Sequence, residues 1–248
     1  MFGHSEELVE RNYVKTGDVD YICFTDDPEL RSNTWTLRLV RRTLLDPARR
    51  SKTFKHLPHR YLGEYDESLY VDNRVRIIAP VDQIFSHLSR SEDLYCYRHP
   101  WRNCVYQEAL RAIEREYDDR ETIECQMNEY RRLGYPPENG LIAATLLLRR
   151  HSSAPLVDLM EEWSAQTIRH SKRDQLSFDV CAWLHRYPAA YFADTITRNA
   201  LFEWPTPDPM LRIPRNFKDH EYLAANPSVA ASGINPRQHY LASIRNRK

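Results

Sequence analysis

Apolar and polar positions along the chain change period repeatedly. Runs rich in β-branched and aromatic residues at 19–24, 35–40, 68–71 and 94–97 stop on turn-forming residues such as Thr25-Asp26-Asp27-Pro28, and they predict strands. Residues 75–78 predict a further short strand. The uncharged run at 141–148 predicts a fully buried central one. Between these, Val81, Ile84, Phe85 and Leu88 recur at helical spacing. Asp46-Pro47 supplies a cap and a first-position proline for a helix over 47–56. Helices are also predicted over 104–117, over 122–133 with Gly134 closing it, over 156–168 and over 174–184. Strands and helices thus alternate through residues 19–187, the pattern of an α/β domain whose sheet is covered by helices. After Phe192 the texture changes. Pro205, Pro207, Pro209 and Pro214 predict an extended linker, and Asn226-Pro227 and Asn235-Pro236 predict two short helices. The expected organisation is a domain at 1–204, a linker at 205–218 and a short helical module at 219–248.

The stretch 51–72 organises the rest. It leads from a basic helix into a strand that stops on Asp72, and open α/β sheets bind ligands at the carboxyl ends of their strands. Arg49, Arg50, Lys52 and Lys55 give the preceding helix a positive face. That face is either solvated or turned toward a phosphate-bearing ligand.

Composition narrows the function classes. Lys plus Arg and Asp plus Glu both number 35, so no net field draws the chain to nucleic acid, and the aromatic residues form no stacking ladder. Glycines number only six and no GxGxxG or GxxxxGK[ST] occurs, which argues against kinases, P-loop enzymes and standard dinucleotide-binding dehydrogenases. The five cysteines show no CxxC pairing and read as reduced thiols of a cytoplasmic protein. His56 and His59 lack the partners a zinc site requires. The polar opening predicts no signal peptide, and the longest apolar run is too short to span a bilayer. Any membrane association would come through a partner or the protein surface.

Four segments in order resemble the TOD1/MUCI70 glycosyltransferase-like domain family (DUF616). They are Tyr21-Ile22-Cys23-Phe24-Thr25-Asp26-Asp27; Lys55-His56-Leu57-Pro58-His59 leading to Leu69-Tyr70-Val71-Asp72; His99-Pro100-Trp101-Arg102-Asn103-Cys104-Val105-Tyr106-Gln107-Glu108-Ala109; and Arg173-Asp174-Gln175-Leu176-Ser177-Phe178. The family's domain normally opens with an apolar strand running into an aromatic-glycine turn, of which Met1-Phe2-Gly3 is the remnant here. The tail, Tyr222 to Ala230 with Gly233-Ile234-Asn235-Pro236 and His239-Tyr240-Leu241, is similar to a short module often appended to bacterial polysaccharide and rhamnan glycosyltransferases, without that module's usual glycine-rich ending.

The resemblance implies a GT-A-like (Rossmann-like) fold and a nucleotide-sugar donor, with a divalent cation, Mn²⁺ or Mg²⁺, held on the donor diphosphate by an aspartate at a strand end. That aspartate would be Asp72, in an Asp72-Asn73-Arg74 segment rather than a full D-x-D. Arg74 would contact phosphate, or supply positive charge in place of the ion. Lys55 would reach the diphosphate, or be a surface lysine. Asp174 and Gln175 resemble an Asp-Gln pair placed beside the sugar, for hydrogen bonds or general-base help; they also fit a helix cap. His99, Arg102 and Glu108 would line the cleft, with Arg102 the anion contact. Asp26 and Asp27 would touch base or ribose, or serve as turn formers. The implied function is sugar transfer from a nucleotide sugar to a glycan or lipid-linked acceptor in bacterial surface polysaccharide synthesis. The alternative is a non-catalytic nucleotide- or glycan-binding member of such an assembly.

Overall fold

Early alternation of apolar and polar residues produces a parallel strand pair, β1 (Ile22–Thr25) and β2 (Thr36–Leu39), with Ile22 opposite Thr36 and Thr25 opposite Leu39. Tyr21 and Trp35, just before the two strands, meet edge to face at 5.9 Å. The computed structural model describes residues 1–3, 7–10, 19–88, 92–204 and 217–245. Of these, 1–3, 7–10, 20–47 and 217–245 form one compact unit, and 19, 48–88 and 92–204 form the other. All but the last two residues of the expected linker lie outside the described residues.

The larger unit runs through α1 (Pro47–His56), a single turn α2 (Pro58–Tyr61), β3 (Ser68–Val71), β4 (Arg76–Ile77), α3 (Val81–Phe85), β5 (Leu94–Arg98), α4 (Val105–Glu114), α5 (Arg120–Arg132), β6 (Ile142–Arg149), α6 (Ala154–Arg169), a 3-10 turn (Asp174–Leu176), α7 (Phe178–Leu184), β7 (Ala190–Tyr191) and β8 (Phe202–Glu203). Its mixed sheet has the order β3-β6-β5-β7. β6 runs antiparallel to both neighbours and β7 runs parallel to β5. β4 and β8 form a separate antiparallel pair. The uncharged run therefore becomes the interior strand, as its pattern predicts, whereas β3 is an edge strand and most of it is only half-buried.

A bulge in β6 shapes everything near the site. Cys96 pairs with Leu147 but the next residue, Tyr97, pairs with Ala143, so Ala144, Thr145 and Leu146 have no partner in β5. Side-chain alternation slips with it. Ile142, Ala144 and Leu147 face one layer, with Leu156, Leu159, Met160, Trp163, Phe178 and Cys181 of α6 and α7. Ala143, Leu146 and Leu148 face the other, with Val75, Ile84, Phe192 and Phe202. A strict two-residue period cannot place 144 and 147 on the same side, and the extra residue at the bulge makes it possible. A third apolar cluster, around Val105, Ile123, Met127, Tyr130, Leu176 and Val180, joins α4 and α5 to the 3-10 turn and α7.

Several predicted boundaries move for identifiable reasons. α5 begins at Arg120 because Asp119 accepts the Thr122 amide at 2.8 Å. The helix expected over 174–184 breaks after its first turn. The Asp174 carbonyl, which should bond four residues on, is taken instead by the Trp163 indole at 2.8 Å and by Ser177 through its amide and hydroxyl. β7 and β8, two residues each, fall below what periodicity can reveal.

In the other unit the tail forms three helices rather than two: α8 (Asp219–Ala225), α9 (Pro227–Ser232) and α10 (Pro236–Arg245). The two Asn-Pro pairs do different work. Asn235 accepts from the Arg237 and Gln238 amides and caps α10, whereas Asn226 donates its side-chain amide back to the Tyr222 carbonyl at the end of α8. Phe217, Tyr222 and Tyr240 cluster with ring centroids 5.0 to 5.8 Å apart. No helix among the described residues is long and apolar enough to cross a membrane.

Leu147, fully buried between the layers, tests the packing. Leu147→Ala should destabilise the chain by about 2–5 kcal/mol, read as a lower urea midpoint. Leu110→Ala, on the exposed face of α4, should change it by less than about 0.5 kcal/mol.

Candidate functional site

β3 and β5 are both antiparallel to β6, and β7 follows β5, so the carboxyl ends of three strands share one sheet edge with the start of β6. There the bulge releases the Ala144 carbonyl from the ladder to β5, and Lys55 of α1 donates to it. The same ammonium lies 2.5 Å from Oδ2 of Asp174, which also meets Lys52 Nζ at 3.2 Å and His56 Nε2 at 3.4 Å. Positions 52, 55 and 56 share a helix face, so one turn of α1 delivers all three groups to one carboxylate. Trp163 stacks on His56 at 3.9 Å. Arg149 of β6, fully buried, donates to the Lys55 carbonyl at 2.6 Å and so caps the end of α1.

Burial alone would push the Asp174 carboxyl up, but Lys52, Lys55 and His56 together hold it well below the usual carboxylate range. Burial pulls Lys55 down to about 8 against the attraction of Asp174, and the ammonium is still charged at neutral pH. Burial likewise pulls His56 down to about 4, so this imidazole is neutral near pH 7.

A second arc continues from Asp174. Gln175 donates its side-chain amide to the Ile142 carbonyl at 2.5 Å, and its oxygen accepts from Arg173 at 2.5 Å. The Ile142 amide donates to Asp179, whose carboxyl burial pushes up to about 7. Arg173 and Arg102 bind opposite oxygens of the buried Glu108, at 3.1 and 2.7 Å. His99 accepts the Trp101 and Arg102 amides at Nδ1, and burial lowers it to about 4. It is a neutral staple for the loop that carries Trp101 and Arg102.

Asp72 and Arg74 stand at the end of β3. The Asp72 amide pairs with the Thr145 carbonyl at 2.9 Å, and the Tyr70 hydroxyl donates to Asp72 Oδ1 at 2.6 Å. Oδ2 takes no hydrogen bond among the described residues. Arg74 makes no ion pair among them either, and its buried Nε has no partner. No three histidine, cysteine or carboxylate side chains gather to hold a metal ion among the described residues. Asp72 therefore offers one oxygen to a cation. Mg²⁺-type sites take one or two carboxylates and complete their shell with substrate phosphates and water, so this donor set fits an ion bound together with a diphosphate.

Of the residues singled out in the sequence, Lys55, Asp174, Gln175, Arg102 and His99 fall in one hydrogen-bonded network, and the charge of Asp72 is felt at Lys55. Asp26 lies in the other compact unit, with Arg42 at 3.6 Å. The geometry changes several expected roles. The basic face of α1 turns inward: Arg49 donates to the carbonyls of Thr167 and His170 at the end of α6, and Lys52 and Lys55 serve Asp174. Lys55 spends its ammonium on protein atoms rather than on a ligand. Both ends of the Gln175 amide are committed. The Asp174 carboxylate is engaged by Lys52, Lys55 and His56. Lys52, Tyr70, Arg173, Trp163 and the Ala144 carbonyl were not anticipated. The spacing of Lys52, Lys55 and His56 was the available signal for part of this cluster, but an inward-facing helix cannot be told from a solvated one without the partner carboxylate.

A family model described as TOD1/MUCI70, glycosyltransferase-like domain, matches residues 24–202. No curated protein matches the chain.

The buried neutral imidazole makes stability pH-dependent. The unfolded chain protonates His56 near its ordinary 6.5 and the folded chain only near 4, so stability is lost as pH falls through that window. The contribution is of the order of 3 kcal/mol. Urea unfolding between pH 4 and 7.5 should show this loss, and His56→Phe, which keeps the ring against Trp163, should flatten it.

Proposed function

The chain belongs to the TOD1/MUCI70 glycosyltransferase-like domain family, and on that premise we propose that it transfers a sugar from a nucleotide-sugar donor to a glycan or lipid-linked acceptor. The observation that carries this reading is a carboxylate at the end of β3, Asp72, whose Oδ2 takes no hydrogen bond among the described residues, followed two positions on by Arg74, which makes no ion pair among them. A nucleoside diphosphate needs this combination, because negative charge grows on it as it leaves.

In the proposed arrangement, of GT-A type, Asp72 holds Mn²⁺ or Mg²⁺ against the diphosphate, and the cation supplies charge neutralisation for the leaving group. Tyr70 fixes the rotamer of Asp72 by its hydrogen bond. Arg74 donates to a phosphate oxygen from the turn in which the Val75 amide returns to the Asp72 carbonyl at 2.8 Å. The Lys55–Asp174 cluster acts behind them: it fixes α1 and the 3-10 turn against the β6 bulge, so that the Asp72 amide meets Thr145 in one register. The resemblance of the tail to modules on bacterial polysaccharide transferases favours a role in surface polysaccharide synthesis, on the cytoplasmic side.

One observation favours the alternative, a non-catalytic nucleotide- or glycan-binding member: Asp174, expected to hydrogen-bond the sugar or help as a general base, has its carboxylate engaged by Lys52, Lys55 and His56. Nucleotide release separates the two readings. With the correct donor and Mn²⁺, the wild type should release nucleoside diphosphate, to water or acceptor. Asp72→Asn should lower that rate about 100-fold or more, and Arg74→Gln about tenfold or more. Tight donor binding without release would place the chain with the binding members.

A further inference from the structure

Glu108 is buried in α4, yet it holds two guanidiniums that remain partly open. Arg102 binds one carboxylate oxygen through Nε and Arg173 the other through Nη2, with side-chain exposures of 25% and 34%. Each arginine gives one nitrogen to Glu108. Arg102 also lies against His99, and Arg173 against Gln175 and the face of Tyr117 at 4.7 Å. Neither Nη1 has a hydrogen bond among the described residues, and the buried Nε of Arg173 has no partner. Two cations on one anion leave one net positive charge, since His99 is neutral and the adjacent Lys172 is matched by Asp118 at 3.5 Å. Beside Arg102 in the same loop, Trp101 is 67% exposed, and its ring meets that of His99 in a T-shaped contact at 5.6 Å.

We propose that Trp101, Arg102 and Arg173 form an acceptor subsite for an anionic sugar, one that bears a carboxylate or a phosphate. The assignment rests on the transferase reading and adds the class of acceptor. An exposed indole offers a flat apolar face to the C–H side of a sugar ring. Two guanidiniums held by one carboxylate each keep Nη1 open, and arginine N–H groups bind carboxylate and phosphate oxygens through charge-assisted hydrogen bonds. Glu108 is a positioning residue here: it fixes both forks without meeting the ligand. Because it is buried, its charge is screened less than that of a surface carboxylate, and it keeps the two arginines from repelling each other. The arrangement also separates acceptor from donor chemistry, because Asp72 and Arg74 lie at the end of β3 while this arc belongs to β5, α4 and the 3-10 turn.

The test is ligand-observed NMR titration of the full chain with methyl glucuronide, glucose 6-phosphate and methyl glucoside, with pyrophosphate present to fill the donor site. At least one anionic sugar should bind about tenfold or more tightly than methyl glucoside, as charge-assisted hydrogen bonds imply. Which of the two it is assigns carboxylate or phosphate. Arg173→Gln should abolish the preference, Arg173→Lys should restore it only in part, and Arg74→Gln should leave it intact. Trp101→Ala, at an exposed position that cannot compromise folding, should weaken all three sugars by a similar factor. Equal binding of the three sugars overturns the proposal. So does a preference that survives Arg173→Gln, or one lost in Arg74→Gln instead, which would place the anion at the donor diphosphate. If the preference follows Arg173 while no donor releases nucleotide, the subsite stands and the transferase reading fails.

Discussion

The Lys55–Asp174 ion pair, seated on a carbonyl that the β6 bulge sets free, is the constraint on which the rest of this structure depends. Burying a lysine and an aspartate is costly, and the cost is offset only where hydrogen bonds satisfy their remaining donors and acceptors. Here the matching reaches across the unit. Ala144 on β6, Lys52 and His56 on α1, and Trp163 on α6 all meet the pair or its backbone. A regular β6 would give the Ala144 carbonyl a ladder partner in β5 and leave Lys55 without its second acceptor. Loss of either charge would strand the other in the interior, at a cost of about 3–5 kcal/mol. The bulge and the ion pair are therefore one feature, and the 3-10 turn at Asp174–Leu176 is its consequence: a continuous helix there would need the carbonyl that Trp163 and Ser177 occupy.

Much of the fold was legible because its signals are local. Proline at position 47 starts α1, Gly134 closes α5, and an eight-residue run without charge can only be a buried strand or a short helix. The break at Ser177 was not legible, since it depends on an indole fourteen residues upstream. The same holds for the site. Asp72 could be read as a carboxylate at a strand end because the strand and its terminator are adjacent in sequence. The roles of Lys55, Asp174 and Gln175 could not, because each is fixed by a partner more than thirty residues away. Family resemblance pointed to these residues without their geometry. The basic face of α1 is the clearest instance: charge patterning suggested a phosphate-facing or solvated helix, and tertiary partners turned those charges inward.

The result is a division of labour among charged groups. Lys52, Lys55, His56, Asp174 and Arg149 are consumed within the protein and set the shape of the sheet edge. Asp72 and Arg74 keep hydrogen-bonding capacity in reserve, as do Arg102 and Arg173. In the proposed arrangement a ligand meets the second group and is positioned by the first. That separation suits a transferase, whose electrostatic complementarity to the transition state must be held in place before the substrate arrives.

The central claim is that the donor diphosphate sits at Asp72 and Arg74, and melting temperature across a donor panel tests it most directly. The full chain would be heated with UDP-, GDP-, dTDP- and CDP-sugars, each with Mn²⁺, Mg²⁺ or chelator, alongside Asp72→Ala. A ligand that binds only the folded state raises the melting temperature. A metal-dependent rise with donors of one base, absent in Asp72→Ala, is the expected result. No rise with any donor, or a rise that Asp72→Ala retains in full, would contradict it.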